Sequence, residues 1–232
     1  MNGILIVDKP THLATQDLVK HVRTHFGLTK IDHGGSIDPN ASGVVTLLLG
    51  NATKLVSELR ARNQIFEVTA LLGTTTNTYD CDGEVTETRP VDCDAARFQN
   101  ALDSFRGDVY QMPAPFLTTK RTLDPTYAIL PANPESQHER ITHFFRLTLT
   151  EFAAPRATFT CACSRNALIK PLVHDLGMAL GCGAAVLAHR RTLQKGFPIA
   201  EAIPFMDLMR LTPPDLPERL IPIPTALAKL HD

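Results

Sequence analysis

The sequence predicts a mixed α+β fold in which the sheet is antiparallel or mixed rather than doubly wound and parallel. Three observations lead there. The chain opens on an apolar run, Gly3-Ile4-Leu5-Ile6-Val7, with a helix following at once. Phe66, Val68, Ala70 and Leu72 alternate with Glu67, Thr69 and Leu71, the period of a strand. Strands and helices then succeed one another without a regular βαβ rhythm.

Residues 3 to 7 read as a short first strand. Thr15, Gln16 and Asp17 open a helix, with Leu18, Val22 and Phe26 four apart on one face and Gly27 as its stop. Residues 30 to 43 read as a long polar loop, and 44 to 49 as a buried strand. Gly50-Asn51 leads into a helix through Leu55 and Leu59. Residues 73 to 83, rich in Thr, Asn, Asp and Gly, are a loop, and 95 to 105 a helix. Residues 111 to 140 hold five prolines and are expected to be a loop-rich insertion. Residues 144 to 152 and 157 to 163 read as strands. Residues 168 to 181 fit a helix with Pro171 in its first turn, and 184 to 193 fit a strand. The proline-rich tail, 211 to 232, is expected to be extended. One domain spanning 1 to 232 is expected.

Composition narrows the function. Hydrophobic residues make up 44% and charged residues 20%, and a chain of this length buries a core without disulfides. The five cysteines lack CxxC spacing, so neither zinc nor another metal is expected. They read as free thiols in a reducing cytoplasm, with Cys161 and Cys163 on one strand face. No apolar run of about 18 residues appears, so no membrane span is expected. The first residues lack a basic stretch and a cleavage site. A formal net charge of −1 supplies no basic surplus for nucleic acid and leaves room only for a local patch.

The most informative segment is His33-Gly34-Gly35-Ser36-Ile37-Asp38-Pro39-Asn40-Ala41-Ser42-Gly43. Two glycines precede Asp38 and loosen the backbone. Pro39 fixes the chain behind it and biases Asp38 toward an extended conformation. Such a segment holds one carboxylate at the edge of a sheet, although Asp-Pro is also a common turn.

This segment resembles the catalytic loop of TruB-type pseudouridine synthases, G-H-x-G-[ST]-L-D-P-x-[AV]-[ST]-G, with Asp32 in place of the first glycine and Ile37 in place of leucine. Further stretches are similar in the family's order. They are residues 3 to 10 ending in Lys9-Pro10, then Leu49-Gly50-Asn51-Ala52-Thr53-Lys54, then Thr78-Tyr79-Asp80-Cys81-Asp82-Gly83-Glu84. Gln111-Met112-Pro113, Asp175-Leu176-Gly177, Leu180-Gly181-Cys182-Gly183-Ala184 and Arg190-Arg191 follow. The likeness runs over nearly the whole chain. No stretch after it resembles the PUA domain that often follows, and a catalytic domain without one is the expectation.

The resemblance implies a pseudouridine synthase fold, with a large central sheet flanked by helices and the catalytic loop in a central cleft. It implies an enzyme that isomerises the T-loop uridine of tRNA to pseudouridine, needing no cofactor. Asp38 would act as nucleophile or base on a base flipped from the RNA. Phe66 stands where the family has an aromatic stacking wall, usually tyrosine. Lys170 stands where an arginine would partner the aspartate, and keeps the charge without the planar fork. Leu168 replaces a substrate-contacting tyrosine, and His189 a leucine that touches the base. His33 matches a histidine that contacts the flipped RNA. Asp80 would orient Lys170 or RNA. Lys9, Lys30, Lys120, Arg190 and Arg191 are candidate phosphate contacts. A cytoplasmic monomer with the tRNA T-arm as its partner is the expectation. Because Phe66, Leu168, Lys170 and His189 depart from the pattern, a second reading is a slow or inactive relative that binds and remodels tRNA. A third is a fold-sharing protein with other ligands.

Overall fold

Two apolar runs with little polar interruption, Gly3–Lys9 and Ser42–Leu49, need both faces covered, and they pair along their whole length. In the computed structural model, Gly3 lies opposite Leu49 and Lys9 opposite Gly43 in an antiparallel ladder. The structure describes residues 1–60, 63–120, 127–194 and 196–231, the side chains of 118–120, 127 and 231 excepted. In chain order the elements are β1 (Gly3–Lys9), α1 (Thr15–His25), β2 (Ile31–His33), β3 (Ser42–Leu49), α2 (Val56–Arg60), β4 (Gln64–Leu72), β5 (Thr74–Thr76), β6 (Val85–Thr88), α3 (Ala95–Ser104) and β7 (Gly107–Gln111). There follow β8 (Phe116–Lys120), β9 (Tyr127–Pro131), β10 (Arg140–Ala153), β11 (Arg156–Cys163), α4 (Ile169–Leu180), β12 (Ala184–Gln194), β13 (Phe197–Pro198), β14 (Ile203–Pro204), α5 (Phe205–Leu208) and α6 (Ile223–His231). The fold is mixed α/β with a large mixed sheet.

The chain gathers into two compact units: Met1–Ile65 with Arg190–Asp232, and Phe66–His189. In the first unit β14 runs parallel to β1, and β1 antiparallel to β3. The other edge of β3 is shared, with β2 antiparallel at its C-terminal end and residues 190 and 191 of β12 parallel at Ser42 and Gly43. One face of this ladder carries Ile4, Ile6, Val44 and Leu48, packed with Leu59, Phe197, Ala226 and Leu230. Leu5, Val7, Val45 and Leu47 on alternate positions are buried as well.

Gly43 shows why glycine stands at the start of β3. Its φ is +106°, and a Cβ there would meet the Arg191 carbonyl oxygen at 2.2 Å. Gly43→Ala is therefore expected to destabilise the protein by roughly 2–3 kcal/mol or more, through strain and parting of the ladder. Gly27→Ala, at φ +63° with open space around it, should cost only about 1 kcal/mol. Urea unfolding of the two variants checks the difference. Equal midpoints would contradict the assignment.

In the second unit β10 pairs with β11 and β7, both antiparallel. Phe144, Leu147, Phe159, Cys161 and Cys163 are buried along β10 and β11. Phe98 of α3 packs its ring 6.1 Å from that of Phe159 and 5.9 Å from that of Phe152. Cys161 and Cys163 share the buried face, as alternation requires, and burial pushes the Cys161 thiol well up. β5 and β6 form a small hairpin that closes on the loop through Asp80.

Two expectations are corrected here. Within the segment expected to be loop-rich, the described residues Phe116–Lys120 and Tyr127–Pro131 form the paired strands β8 and β9, with Phe116 opposite Pro131 and Lys120 opposite Tyr127. The tail is helical rather than extended. Pro213 and Pro214 begin a 3-10 helix over Pro213–Arg219, capped by Thr212 and Asp215, and α6 follows with Pro224 in its first turn. Proline lacks only an N–H that a first turn leaves unpaired anyway. Among the described residues, no helix is long and apolar enough to cross a membrane.

Candidate functional site

The loop between β2 and β3 is tied on both sides of Asp38. The Ile37 N–H donates to the Thr15 hydroxyl oxygen at 3.2 Å. Asp38 Oδ1 accepts the Asn40 N–H at 2.9 Å, and the Asp38 carbonyl accepts the Ala41 N–H at 3.0 Å. This is the side-chain-to-backbone turn that aspartate favours. The side chain of Asp38 is half-buried.

Lys9 sits beneath this turn. Its ammonium donates to the carbonyls of Pro10 at 2.8 Å and Pro39 at 3.1 Å. The side chain is fully buried. That corrects its reading as a phosphate contact, because the charge is spent on the loop. Burial draws the Lys9 ammonium down to about 8. Asp38 pulls it up, Arg191 pushes it down, and Asp8 pulls it up.

The sign of the linkage follows. The folded-state value lies below the 10.5 of an unperturbed lysine. Between about pH 8 and 10.5 the unfolded chain therefore binds more protons, and Lys9 raises stability as pH rises. Below that window its buried charge carries a constant cost. Relative to Lys9→Met, the wild type is expected to gain up to about 3 kcal/mol across the window. Urea unfolding at pH 7.5 and 10.5 measures it. Parallel pH profiles for the two proteins would contradict the burial of this charge.

Arg190 and Arg191, adjacent in sequence, point opposite ways on β12. Arg190 is half-exposed and pairs with Asp8 at 2.6 Å and the Ser42 hydroxyl at 3.2 Å. Arg191 is buried, and its guanidinium donates to the carbonyls of Val44 at 2.7 Å and Gly35 at 3.0 Å. It is a brace for the loop, not a phosphate contact. His33, on β2, has its Nδ1 buried without a hydrogen-bond partner among the described residues. Burial and the Arg60 guanidinium lower its pKa, against the pull of Asp32, so the ring is neutral at pH 7. Lys30 is exposed. The side chain of Lys120 lies outside the described residues.

The second unit gathers the other residues singled out from the sequence. Asp80, 3% exposed, accepts the Lys170 ammonium at 2.5 Å. It also accepts the Thr78 hydroxyl at 3.2 Å and the Asp82 N–H at 3.0 Å. Tyr79 before it has φ +63°, and its ring stacks on His174 of α4 at 3.9 Å. Lys170 and His174 lie four apart on α4, so both stand over the Asp80 loop. Leu168, the N-cap of α4, has no side-chain oxygen to offer. Gln111 instead grips the cap residue itself, accepting the Leu168 N–H and donating to its carbonyl, both at 2.9 Å. Phe66 on β4 and His189 on β12 are buried, with ring centroids 6.3 Å apart.

Sequence reasoning missed Thr15, Gln64, Gln194 and the inward aim of Arg191. Gln111 was part of a quoted motif without a role. The signal for Arg191 was the period of β12, which turns His189 and Arg191 one way and Arg190 the other.

Comparison with known proteins decides the family. The sequence profile described as TruB family pseudouridylate synthase (N terminal domain) matches residues 23–169. The chain belongs to the TruB family of pseudouridylate synthases. It is thus related to RNA pseudouridine synthases, enzymes of the isomerase class. It is 36% identical to the tRNA pseudouridine synthase B of Haemophilus influenzae (strain 86-028NP) over 99% of this chain and 77% of that protein. It is also 36% identical to the tRNA pseudouridine synthase B of Opitutus terrae, over 96% of this chain and 93% of that protein. Among solved structures, the crystal structure of a Cbf5-Nop10-Gar1 complex contains a chain that superposes with a TM-score of 0.75. The identity is 20%, and the match covers 98% of this chain and 62% of that one, so it establishes the shared fold alone.

Proposed function

We propose that this TruB-family protein is a tRNA pseudouridine synthase acting on the T-loop uridine, with Asp38 as nucleophile or base. The observation that carries the reading is the held carboxylate. Asp38 stands in a loop of the family pattern, fixed by Asn40 and Ala41 amides, with a buried ammonium beneath it. Relatives at 36% identity over nearly the whole chain bear the tRNA pseudouridine synthase name.

The reaction breaks the uracil N1–ribose bond and forms a C5–ribose bond; C5 gives up its proton and the freed N1 takes one up. An ionised Asp38 serves as attacking group or as proton acceptor. The target base must leave the stack. The basic groups available to phosphate are exposed ones such as Lys30, since Lys9 and Arg191 are spent internally.

Release of tritium from tRNA transcript labelled at uridine C5 tests the proposal. Stoichiometric release from the T-loop position is expected. No release by folded protein at high concentration would overturn it. The reading as a slow tRNA-binding relative rests on Lys170, which stands in place of an arginine and is held by Asp80. It predicts binding with a steep salt dependence and a turnover that Lys170→Arg raises.

A further inference from the structure

We propose that Arg191, with Gln194 and Gln64 beside it, is a positioning residue for Asp38. The inference rests on the function proposed above. It adds that the aim of the carboxylate is set from β12 through the backbone of the loop.

The geometry is a run of carbonyls turned inward. Gln194 Nε2 donates to the Gly34 carbonyl at 2.7 Å. Arg191 Nη2 donates to the Gly35 carbonyl at 3.0 Å, and Nη1 reaches the Ser36 carbonyl at 3.5 Å. Arg191 Nε donates to the Val44 carbonyl at 2.7 Å, beyond Asp38. Two side chains three apart on one strand thus hold successive carbonyls before Asp38 and one after it. The brace is itself fixed. Gln64 Oε1 accepts from Arg191 Nη1 at 3.0 Å, and Gln194 Oε1 accepts the Thr46 hydroxyl at 3.0 Å.

Close approach is built in. A Cβ on Gly34 would meet Thr46 Oγ1 at 2.3 Å, so the glycine lets the loop lie against β3 at the residue whose hydroxyl holds Gln194. Arg191, Gln64 and Gln194 are each at least nine-tenths buried. Desolvating a guanidinium is costly, and leucine would fill the same space without that cost. A planar fork of donors is what three diverging carbonyls require, and an ammonium cannot supply it. The chain keeps a costly charge where the backbone next to Asp38 needs a fixed shape.

The test uses the full chain and unmodified tRNA transcript. Single-turnover rate, tRNA affinity and amide hydrogen exchange are measured for the wild type, Arg191→Lys and Gln194→Met. Arg191→Lys is expected to lower the rate by ~100-fold, the effect of about 1 Å of misplacement. Affinity should stay unchanged. Exchange of the Ile37 and Ala41 amides should quicken by at least about 10-fold, and that of Leu18 should not. Gln194→Met should show the same pattern, weaker.

A folded Arg191→Lys with wild-type rate and exchange would overturn the proposal. So would a loss of affinity at unchanged rate, which would make Arg191 an RNA contact. If Arg191→Lys does not fold, Gln194→Met decides alone, and wild-type rate and exchange there would overturn it. If the wild type itself turns over no tRNA, the functional reading fails, and faster Ile37 and Ala41 exchange in the variants would still report the brace.

Discussion

Asp38→Asn is expected to reduce pseudouridine formation by at least about 10³-fold while leaving the fold intact, the scale seen when a reacting side chain is removed. Asparagine keeps an oxygen in the place of Oδ1, so the Asn40 N–H keeps its acceptor and the turn survives. What is lost is the negative charge. That loss removes the strongest upward influence on Lys9, so its ammonium should fall further below about 8. Tritium release and circular dichroism of the variant check the two halves. A folded Asp38→Asn protein with substantial turnover would remove Asp38 from the chemistry.

Lys170→Met is the second large effect, and it falls on stability. The variant leaves the Asp80 carboxylate, 3% exposed, without the ammonium now at 2.5 Å. The Thr78 hydroxyl and the Asp82 N–H remain, but hydrogen bonds do not replace a counter-charge. Breaking one side of a buried pair costs about 3–5 kcal/mol. The double variant Lys170→Met with Asp80→Asn should recover much of this, because both charges of the pair are then removed together. Lys170→Arg keeps the charge and should stay near the wild type. Urea unfolding of the three variants measures it. A cost below about 1 kcal/mol for Lys170→Met would mean that the pair is loose and solvated.

Much of the fold could be read from periodicity. β1 and β3 are apolar runs, β4 alternates, and α1 and α3 show four-residue spacing, so their partners in burial were implied. The tail was misread because proline counts as a breaker, while Pro213, Pro214 and Pro224 lie in first turns where nothing is broken. β2 hides in a polar stretch because only Ile31 needs burial there.

The candidate site was legible where the chemistry is local. Asp38, with glycines before it and a proline behind, announces a held carboxylate. The brace was not legible, because a strand arginine turns inward or outward according to which neighbouring strands leave carbonyls to satisfy. Arg190 and Arg191 are the same residue type at adjacent positions with opposite fates. Lys9 misled for the same reason, as its target is a carbonyl 30 positions away in sequence.

The two hydrogen bonds between Gln111 and Leu168 have a mechanical consequence. One carboxamide grips both backbone groups at the head of α4 and also takes the Thr142 hydroxyl at 2.9 Å. The end of β7 and the first turn of α4 therefore travel as a single piece. Any tug on the segment that leaves β7 at Gln111 is passed, two residues further along α4, to the ammonium that Asp80 holds.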